Sequence, residues 1–221
     1  MNFLLEPLLD AEEVLAFRSS LLNANEHWSP GVNTAGWHAR VVKNNHQLDR
    51  TCALHQTLSA DLLQRLQRHP VVQSLAFPRR IHGLLFSRSG PGEGYGRHVD
   101  NAWMDHGRTD LSFTVALSDP DEYTGGALLL EQSGSERSVR LPAGHAVVYP
   151  STLLHQVEPV ISGVRLVAVG WIESRIRRAD QRELLFELDT ARRLQFKRHG
   201  KDDIFDLISR SYGNLLRLWD D

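Results

Sequence analysis

Two side chains with metal-binding chemistry stand two residues apart in Tyr95-Gly-Arg-His-Val-Asp100: the imidazole of His98 and the carboxylate of Asp100. In an extended strand that spacing puts both on one face. Together they make two thirds of the 2-His-1-carboxylate triangle that holds non-haem Fe(II) and leaves positions open for reactants. The third ligand has to arrive on a strand that folds back alongside. His155, in Tyr149-Pro-Ser-Thr-Leu-Leu-His-Gln-Val-Glu-Pro159, is the candidate. Ten residues later, Arg165 enters the apolar run Val164-Arg-Leu-Val-Ala-Val-Gly-Trp-Ile172. A guanidinium in such a strand requires an anion, because an unpaired buried charge is costly. With eleven histidines in the chain, a chance His-x-Asp is not rare. The weight therefore rests on the joint arrangement of the four residues.

That order and spacing resemble the Fe(II)- and 2-oxoglutarate-dependent dioxygenases, especially those of the prolyl-hydroxylase type. Further stretches resemble the bacterial PKHD-type hydroxylases: Lys43-Asn44-Asn45, Arg108 to Ser112, Leu117 to Pro120, Gly125-Gly126, Leu141 to Gly144, Tyr149 to Ser151 and Leu184 to Asp189. The resemblance implies that His98, Asp100 and His155 hold Fe(II). It also implies that 2-oxoglutarate chelates the metal through its keto oxygen and C1 carboxylate, that Arg165 pairs with its far carboxylate, and that O2 takes the last position. The products would be succinate, CO2 and a hydroxylated substrate. L-ascorbate (vitamin C) is implied as the reductant that rescues oxidised iron.

One position departs from the pattern. Prolyl-hydroxylase-type enzymes often carry a cosubstrate-binding Tyr nine positions before the first His ligand, and here that position is Ser89. The departure implies either a lower cosubstrate affinity or a substitute in Tyr95 or a water. Asp100 matches the pattern and argues against halogenation, since halogenating relatives lack this carboxylate.

The elements that position these residues follow from periodicity. Asp10-Ala-Glu-Glu13 has the form of a capping box, and an amphipathic helix is expected over residues 10–23. Residues 23–36 are polar, with Pro30 and Gly31, and suit loop or irregular edge structure. Trp37 to Val42 suits a strand, and the polar run Lys43-Asn-Asn-His-Gln47 an exposed loop, though the resemblance places that run near a substrate entrance. Leu58 to His69 has helical spacing, closed by Pro70. Short β-type runs then begin at Ile81, Leu111, Ala127, Ser138, His145, Gln156 and Val164, separated by Gly- and Pro-containing turns. Such a series argues for a mainly β core with flanking helices (α+β), a jelly roll or double-stranded β-helix with His98, Asp100 and His155 at one mouth. Two helices, Ile176 to Phe196 and Ile204 to Trp219, complete the chain. Their arginines (Arg175, Arg177, Arg178, Arg182, Arg192 and Arg193) interleave with acids and suit a solvated, salt-bridged face rather than a basic patch. The expected organisation is an N-terminal flank over 1–77, a catalytic core over 78–174 and C-terminal helices over 175–221.

Composition limits the setting. At 221 residues, with 41% hydrophobic and 24% charged, the chain suits one sizeable core with appendages. A net charge of −2 gives no electrostatic reason to bind nucleic acid. The lone Cys52 permits no internal disulfide and fits a reducing compartment. Glu6 and Pro7 interrupt the N-terminal apolar residues, no basic n-region precedes them, and no run reaches membrane-spanning length. A cytoplasmic protein is expected, with no nucleic-acid or membrane partner, and with the C-terminal helices available for a homo-oligomer. Its partners are 2-oxoglutarate, O2 and an unidentified substrate, either an amino-acid side chain or a small molecule. Two rivals stand beside this: a metal-dependent cupin enzyme that does not use 2-oxoglutarate, and a non-catalytic sensor of iron or a small acid.

Overall fold

A capped helix opens the ordered body of the chain. The structure is a computed structural model and describes residues 3–4, 7–37, 39–104, 107–132 and 134–220. After strand β1 (Phe3–Leu4), the Asp10 carboxylate accepts from the Glu13 N–H at 2.9 Å. Glu13 accepts in return from the Asp10 N–H at 2.8 Å, which starts α1 (Ala11–Asn23) where the capping box predicts. Short strands β2 (Trp28–Pro30), β3 (Lys43–Asn44) and β4 (His46–Leu48) follow among 3-10 turns. Helix α2 (Ala53–Arg68) begins earlier than the expected Leu58, because Cys52 caps it by accepting from the His55 N–H at 3.4 Å. Pro70 does more than close α2. It opens α3 (Pro70–Ala76), where the first helical position needs no N–H donor.

The β core then forms from β5 (Pro78–Ser89), β6 (Gly94–His98), the hairpin β7 (Trp103–Met104) and β8 (Gly107–Arg108), and β9 (Leu111–Ala116). It continues through β10 (Tyr123–Gly125), β11 (Leu128–Gln132), β12 (Ser135–Val139) and β13 (Ala146–Pro150). The last strands are β14 (His155–Val157), β15 (Val160–Gly163) and β16 (Arg165–Ser174). A large sheet has the order β1-β13-β9-β16-β5-β4-β2, and a smaller one the order β12-β11-β14-β6-β3. Residues of both sheets share one apolar cluster, in which Ala116, Val147 and Tyr149 meet Leu128, Leu130 and Val139. This is the two-sheet arrangement of a jelly roll.

Period-two alternation divides the large sheet between two tasks. On β5, β9 and β16, Leu84, Phe86, Phe113, Val115, Leu166 and Ala168 are buried in the main core, which Val14, Phe17 and Leu21 of α1 and Leu62 and Leu66 of α2 complete. The alternate residues Ser87, Ser89, Ser112, Thr114, Arg165 and Val167 line a cavity instead.

Four local expectations are corrected. Trp37 to Val42 is no strand: Arg40–Val42 is a 3-10 turn, and Trp37, Val41 and Val42 are exposed, with no sheet for the β-branched side chains to cover. Lys43 to Gln47 is no exposed loop, since it forms β3 and β4, with Lys43 and Gln47 buried. The run Gln156 to Val160 breaks into β14 and β15 at Glu158 and Pro159. Strand β6 ends at His98, so Asp100 lies just beyond it rather than within it.

At the C-terminus, α4 (Ala179–His199) and α5 (Asp203–Trp219) reach the body through a small cluster. There Phe77, Ile176 and Leu185 meet Tyr212, Leu215, Leu216 and Trp219. The salt-bridged face is present as expected, with Asp189 paired to both Arg192 and Arg193, Arg175 to Asp220, and Arg178 to Asp180. Arg182 differs. It is buried and donates to the carbonyls of Ile176 and Arg177, each at 2.8 Å. Among the described residues, no helix is long and apolar enough to cross a membrane.

Candidate active site

His98 ends β6 and His155 begins β14, and the antiparallel register sets these two residues directly opposite one another. Each ring is fixed by its own backbone. The Nδ1 of His98 lies 2.9 Å from the Gly96 carbonyl, and that of His155 lies 2.9 Å from the Leu153 carbonyl. A carbonyl only accepts, so each Nδ1 carries a proton and Nε2 is the nitrogen turned to the site. The two Nε2 atoms converge on Asp100: His98 Nε2 is 3.8 Å from Oδ1, and His155 Nε2 is 3.8 Å from Oδ2. One ligand atom from each of the three residues lies within 4.8 Å of the others. Ser112 Oγ donates to Asp100 Oδ2 at 2.6 Å and meets Ser151 Oγ at 2.7 Å, which holds the carboxylate from behind.

Burial keeps this cluster ready for a cation. Desolvation, reinforced by the neighbouring His155, lowers the pKa of His98 well below the usual imidazole range, to about 4. Its ring therefore stays neutral and able to donate a lone pair at neutral pH. Tyr95 stacks on His98 with ring centroids 3.7 Å apart, and Tyr149 meets His155 edge-on at 5.3 Å. Burial pushes the phenol of each tyrosine up, with the nearby Asp100 charge adding to the effect.

The cluster lies in a cavity of about 550 Å³, which is ample for a small organic acid and part of a second molecule. Arg165, the first residue of β16, lines the same cavity and is 7% exposed. It pairs across the sheet with Ser89, so the position that departs from the prolyl-hydroxylase pattern sits beside the guanidinium. Burial lowers the Arg165 pKa, and the neighbouring Tyr123 hydroxyl opposes this. Its Nε has no hydrogen-bond partner, and among the described residues no carboxylate forms an ion pair with it. Gly126, at φ +63°, leaves room for the stem: a Cβ there would stand 3.1 Å from Arg165 Cδ and 3.0 Å from a Val160 methyl.

All four residues singled out from sequence thus share one cavity. Sequence reasoning missed Ser112, Ser151 and Tyr123. A serine carries no signal of its own, although Ser112 and Ser151 both lie in stretches quoted for the family resemblance. It also missed the side chains of Lys43, Asn45 and Gln47, which form one wall of the cavity. Their every-second-residue spacing was the available signal. Burial lowers the pKa of Lys43 to about 8, with the Asp100 charge pulling the other way.

Comparison with known proteins agrees with this geometry. Residues 84–173 match the 2OG-Fe(II) oxygenase superfamily. The chain is 50% identical over 223 residues to a PKHD-type hydroxylase of Synechococcus elongatus, covering 99% of each protein. It is 48% identical over 219 residues to another from Acaryochloris marina, again covering 99% of each. Among solved structures, a Pseudomonas putida prolyl-4-hydroxylase superposes with a TM-score of 0.56 at 23% identity, covering 79% of this chain and 92% of that one. A viral collagen prolyl hydroxylase from Paramecium Bursaria Chlorella virus-1, solved as a 2OG complex, gives a TM-score of 0.54 at 17% identity, covering 78% and 96%. These structural likenesses support the double-stranded β-helix fold. With half its residues shared over nearly its whole length, this chain belongs to the PKHD-type hydroxylases, which are Fe(II)- and 2-oxoglutarate-dependent dioxygenases.

Proposed function

We propose that His98, Asp100 and His155 hold the Fe(II) of this dioxygenase and that Arg165 binds the far carboxylate of 2-oxoglutarate. The observation that carries the assignment is the buried Arg165 guanidinium, without a carboxylate partner among the described residues, in the same cavity as the His-Asp-His cluster. A charge in that state calls for an anionic ligand, and a planar fork of donors suits a carboxylate. The donor set fits the metal: two imidazoles and one carboxylate on one side, with space opposite.

When bound, the iron and 2-oxoglutarate together supply O2 activation, with succinate and CO2 as co-products and a C–H bond of the substrate hydroxylated. The chain's own residues orient and shield. Gly96 and Leu153 fix the two imidazoles through their carbonyls, and Ser112 aims the Asp100 carboxylate. Arg165 sets the orientation of the oxo acid, while Leu85, Leu128 and Val167 keep water from the reacting end of the cavity. Ser89, where the family often has its cosubstrate-binding Tyr, lines the cavity beside Arg165, and Tyr95 lines it too while stacking on His98.

Within this proposal, residues 78–174 form the catalytic core, 1–77 and 175–221 flank it, and the protein works in the cytoplasm. Ascorbate as reductant comes from the family resemblance alone. A homo-oligomer through α4 and α5 draws support from Leu207 and Leu218, which are exposed on α5. The test is Fe(II)- and O2-dependent conversion of 2-oxoglutarate to succinate by purified protein, with Fe(II) affinity titrated in parallel. His98→Ala and His155→Ala should abolish turnover and weaken Fe(II) binding by more than the roughly 10- to 100-fold expected for outer-shell partners. Unchanged Fe(II) affinity in both variants would remove the triad.

A further inference from the structure

The cavity holds a second buried cation that the chemistry above does not use. Lys43 is 8% exposed, and no carboxylate among the described residues forms an ion pair with it. Its ammonium donates to Thr34 Oγ1 at 3.1 Å and lies 5.1 Å from the centroid of the Tyr95 ring. Lys43 faces Tyr95 in the β3–β6 register, and Tyr95 stacks on His98, so one aromatic ring separates the ammonium from the metal cluster. An ammonium has three donors, and Thr34 takes one.

The residues that follow extend the same surface. Lys43, Asn45 and Gln47 line the cavity, while Asn44 and His46 between them turn away, toward the Gly92 carbonyl and the Glu93 carboxylate. Asn45 donates through Nδ2 to Ser87 Oγ at 2.9 Å, and its Oδ1 is buried with no partner. Gln47 Oε1 accepts from the Thr34 hydroxyl that also receives Lys43. Toward solvent the cavity wall becomes apolar at Val99 and Trp103, both exposed.

Charge balance gives this wall a purpose. Asp100 is the one carboxylate among the described residues lining the cavity. The two charges of Fe(II) and that of Arg165 are offset by Asp100 and the two carboxylates of 2-oxoglutarate. Lys43 is left over. We infer that Lys43 heads a substrate subsite and binds an anionic carboxylate-type group, so that the substrate is an organic acid whose apolar part lies toward Val99 and Trp103. This rests on the assignment of Arg165 to the cosubstrate.

The test uses the full chain loaded anaerobically with Fe(II) and 2-oxoglutarate. Two probe series are titrated in: phenylalkanoic acids from benzoate to 4-phenylbutanoate, and their primary amides, which match in shape but carry no charge. The readouts are the Fe(II)–2-oxoglutarate charge-transfer absorbance and intrinsic tryptophan fluorescence. At least one acid should perturb both signals while its amide binds at least about tenfold more weakly, as loss of a charged hydrogen bond predicts. Lys43→Met should remove that preference with 2-oxoglutarate affinity within about twofold of wild type, and Lys43→Arg should retain it. Amides that bind as well as acids, acids that give no response, or acids that bind Lys43→Met unchanged would overturn the inference. A Lys43→Met variant that loses 2-oxoglutarate as strongly as the acids would also overturn it, making Lys43 a cosubstrate anchor. Absence of any charge-transfer band in the wild type would strike the metal and Arg165 assignments instead, and the inference with them.

Discussion

The large sheet has two faces made from the same three strands, and they hold opposite kinds of residue. On one face Phe86, Phe113 and Leu166 are 0–1% exposed and pack against α1 and α2. On the other, Ser87, Ser89, Ser112, Thr114 and Arg165 are buried to nearly the same degree but look into a cavity. Burial alone therefore does not separate fold from function here. The separation lies in whether a buried side chain has found its partner within the chain. Core residues have, while Arg165 and Lys43 lack a carboxylate among the described residues. Substitutions on the two faces should accordingly move different observables.

The largest effect on stability is expected on the apolar face. Phe86 meets Phe17 and His55 with ring centroids 6.3 and 5.5 Å away. Phe86→Ala should cost about 3–5 kcal/mol in denaturant unfolding, while the folded fraction keeps its Fe(II) affinity. A large loss of metal affinity in folded Phe86→Ala would break the division between the faces.

Lys43 should act in the reverse sense. The unfolded chain holds the Lys43 proton up to near 10.5, whereas the native state releases it above about 8. Between those values the unfolded state binds more protons, so this residue's contribution to stability rises with pH across that window. Below pH 8 the penalty is fully present, on the order of 3 kcal/mol. Lys43→Met should therefore stabilise the metal-free protein at pH 7 by up to about that amount, and the gain should vanish as the pH approaches 10.5. A variant less stable than wild type at pH 7 in thermal or denaturant unfolding would contradict the account.

Ser112→Ala gives a smaller effect, confined to the site. It removes the 2.6 Å hydrogen bond to Asp100, a charged bond worth roughly 1.5–3 kcal/mol. Fe(II) affinity should fall by about tenfold with little change in the unfolding midpoint. The smallest effect belongs to the start of α4, where Arg178 carries the same charge as Arg165 but has Asp180 beside it in water. Arg178→Ala, which breaks the pair with Asp180, should leave unfolding and 2-oxoglutarate affinity unchanged.

The same contrast explains what the sequence disclosed. That His98, Asp100, His155 and Arg165 belong together was legible, because metal-binding residue types at strand spacing and an arginine in an apolar run are conspicuous, and the four share one cavity. Long apolar strands such as Val164 to Ile172 were legible for a similar reason. The Lys43 to Gln47 wall was not, because a polar run reads as a loop when the cavity that buries it forms only in three dimensions. Val41-Val42 misled in the opposite sense: β-branched residues suggested a strand, yet the chain turns there and exposes them. Asp100 does lie beside His98 and His155, but not for the reason its spacing suggested: β6 ends before it, and the Ser112 hydroxyl, not the pleat, holds the carboxylate in place. The cupin rival that bypasses 2-oxoglutarate is set aside by the family relationship, which no single motif settles.

The central claim is that the cavity-face guanidinium of Arg165, without a carboxylate partner among the described residues, exists for the cosubstrate. Anaerobic titration of the Fe(II)–2-oxoglutarate charge-transfer absorbance tests it directly in wild type, Arg165→Ala and Arg165→Lys. The account predicts unchanged Fe(II) binding in all three proteins. It predicts 2-oxoglutarate affinity at least about ten- to a hundredfold weaker in Arg165→Ala, and only partly restored in Arg165→Lys, because one ammonium cannot make two parallel bonds. Equal 2-oxoglutarate affinity across the three would contradict it and leave Arg165 a structural residue.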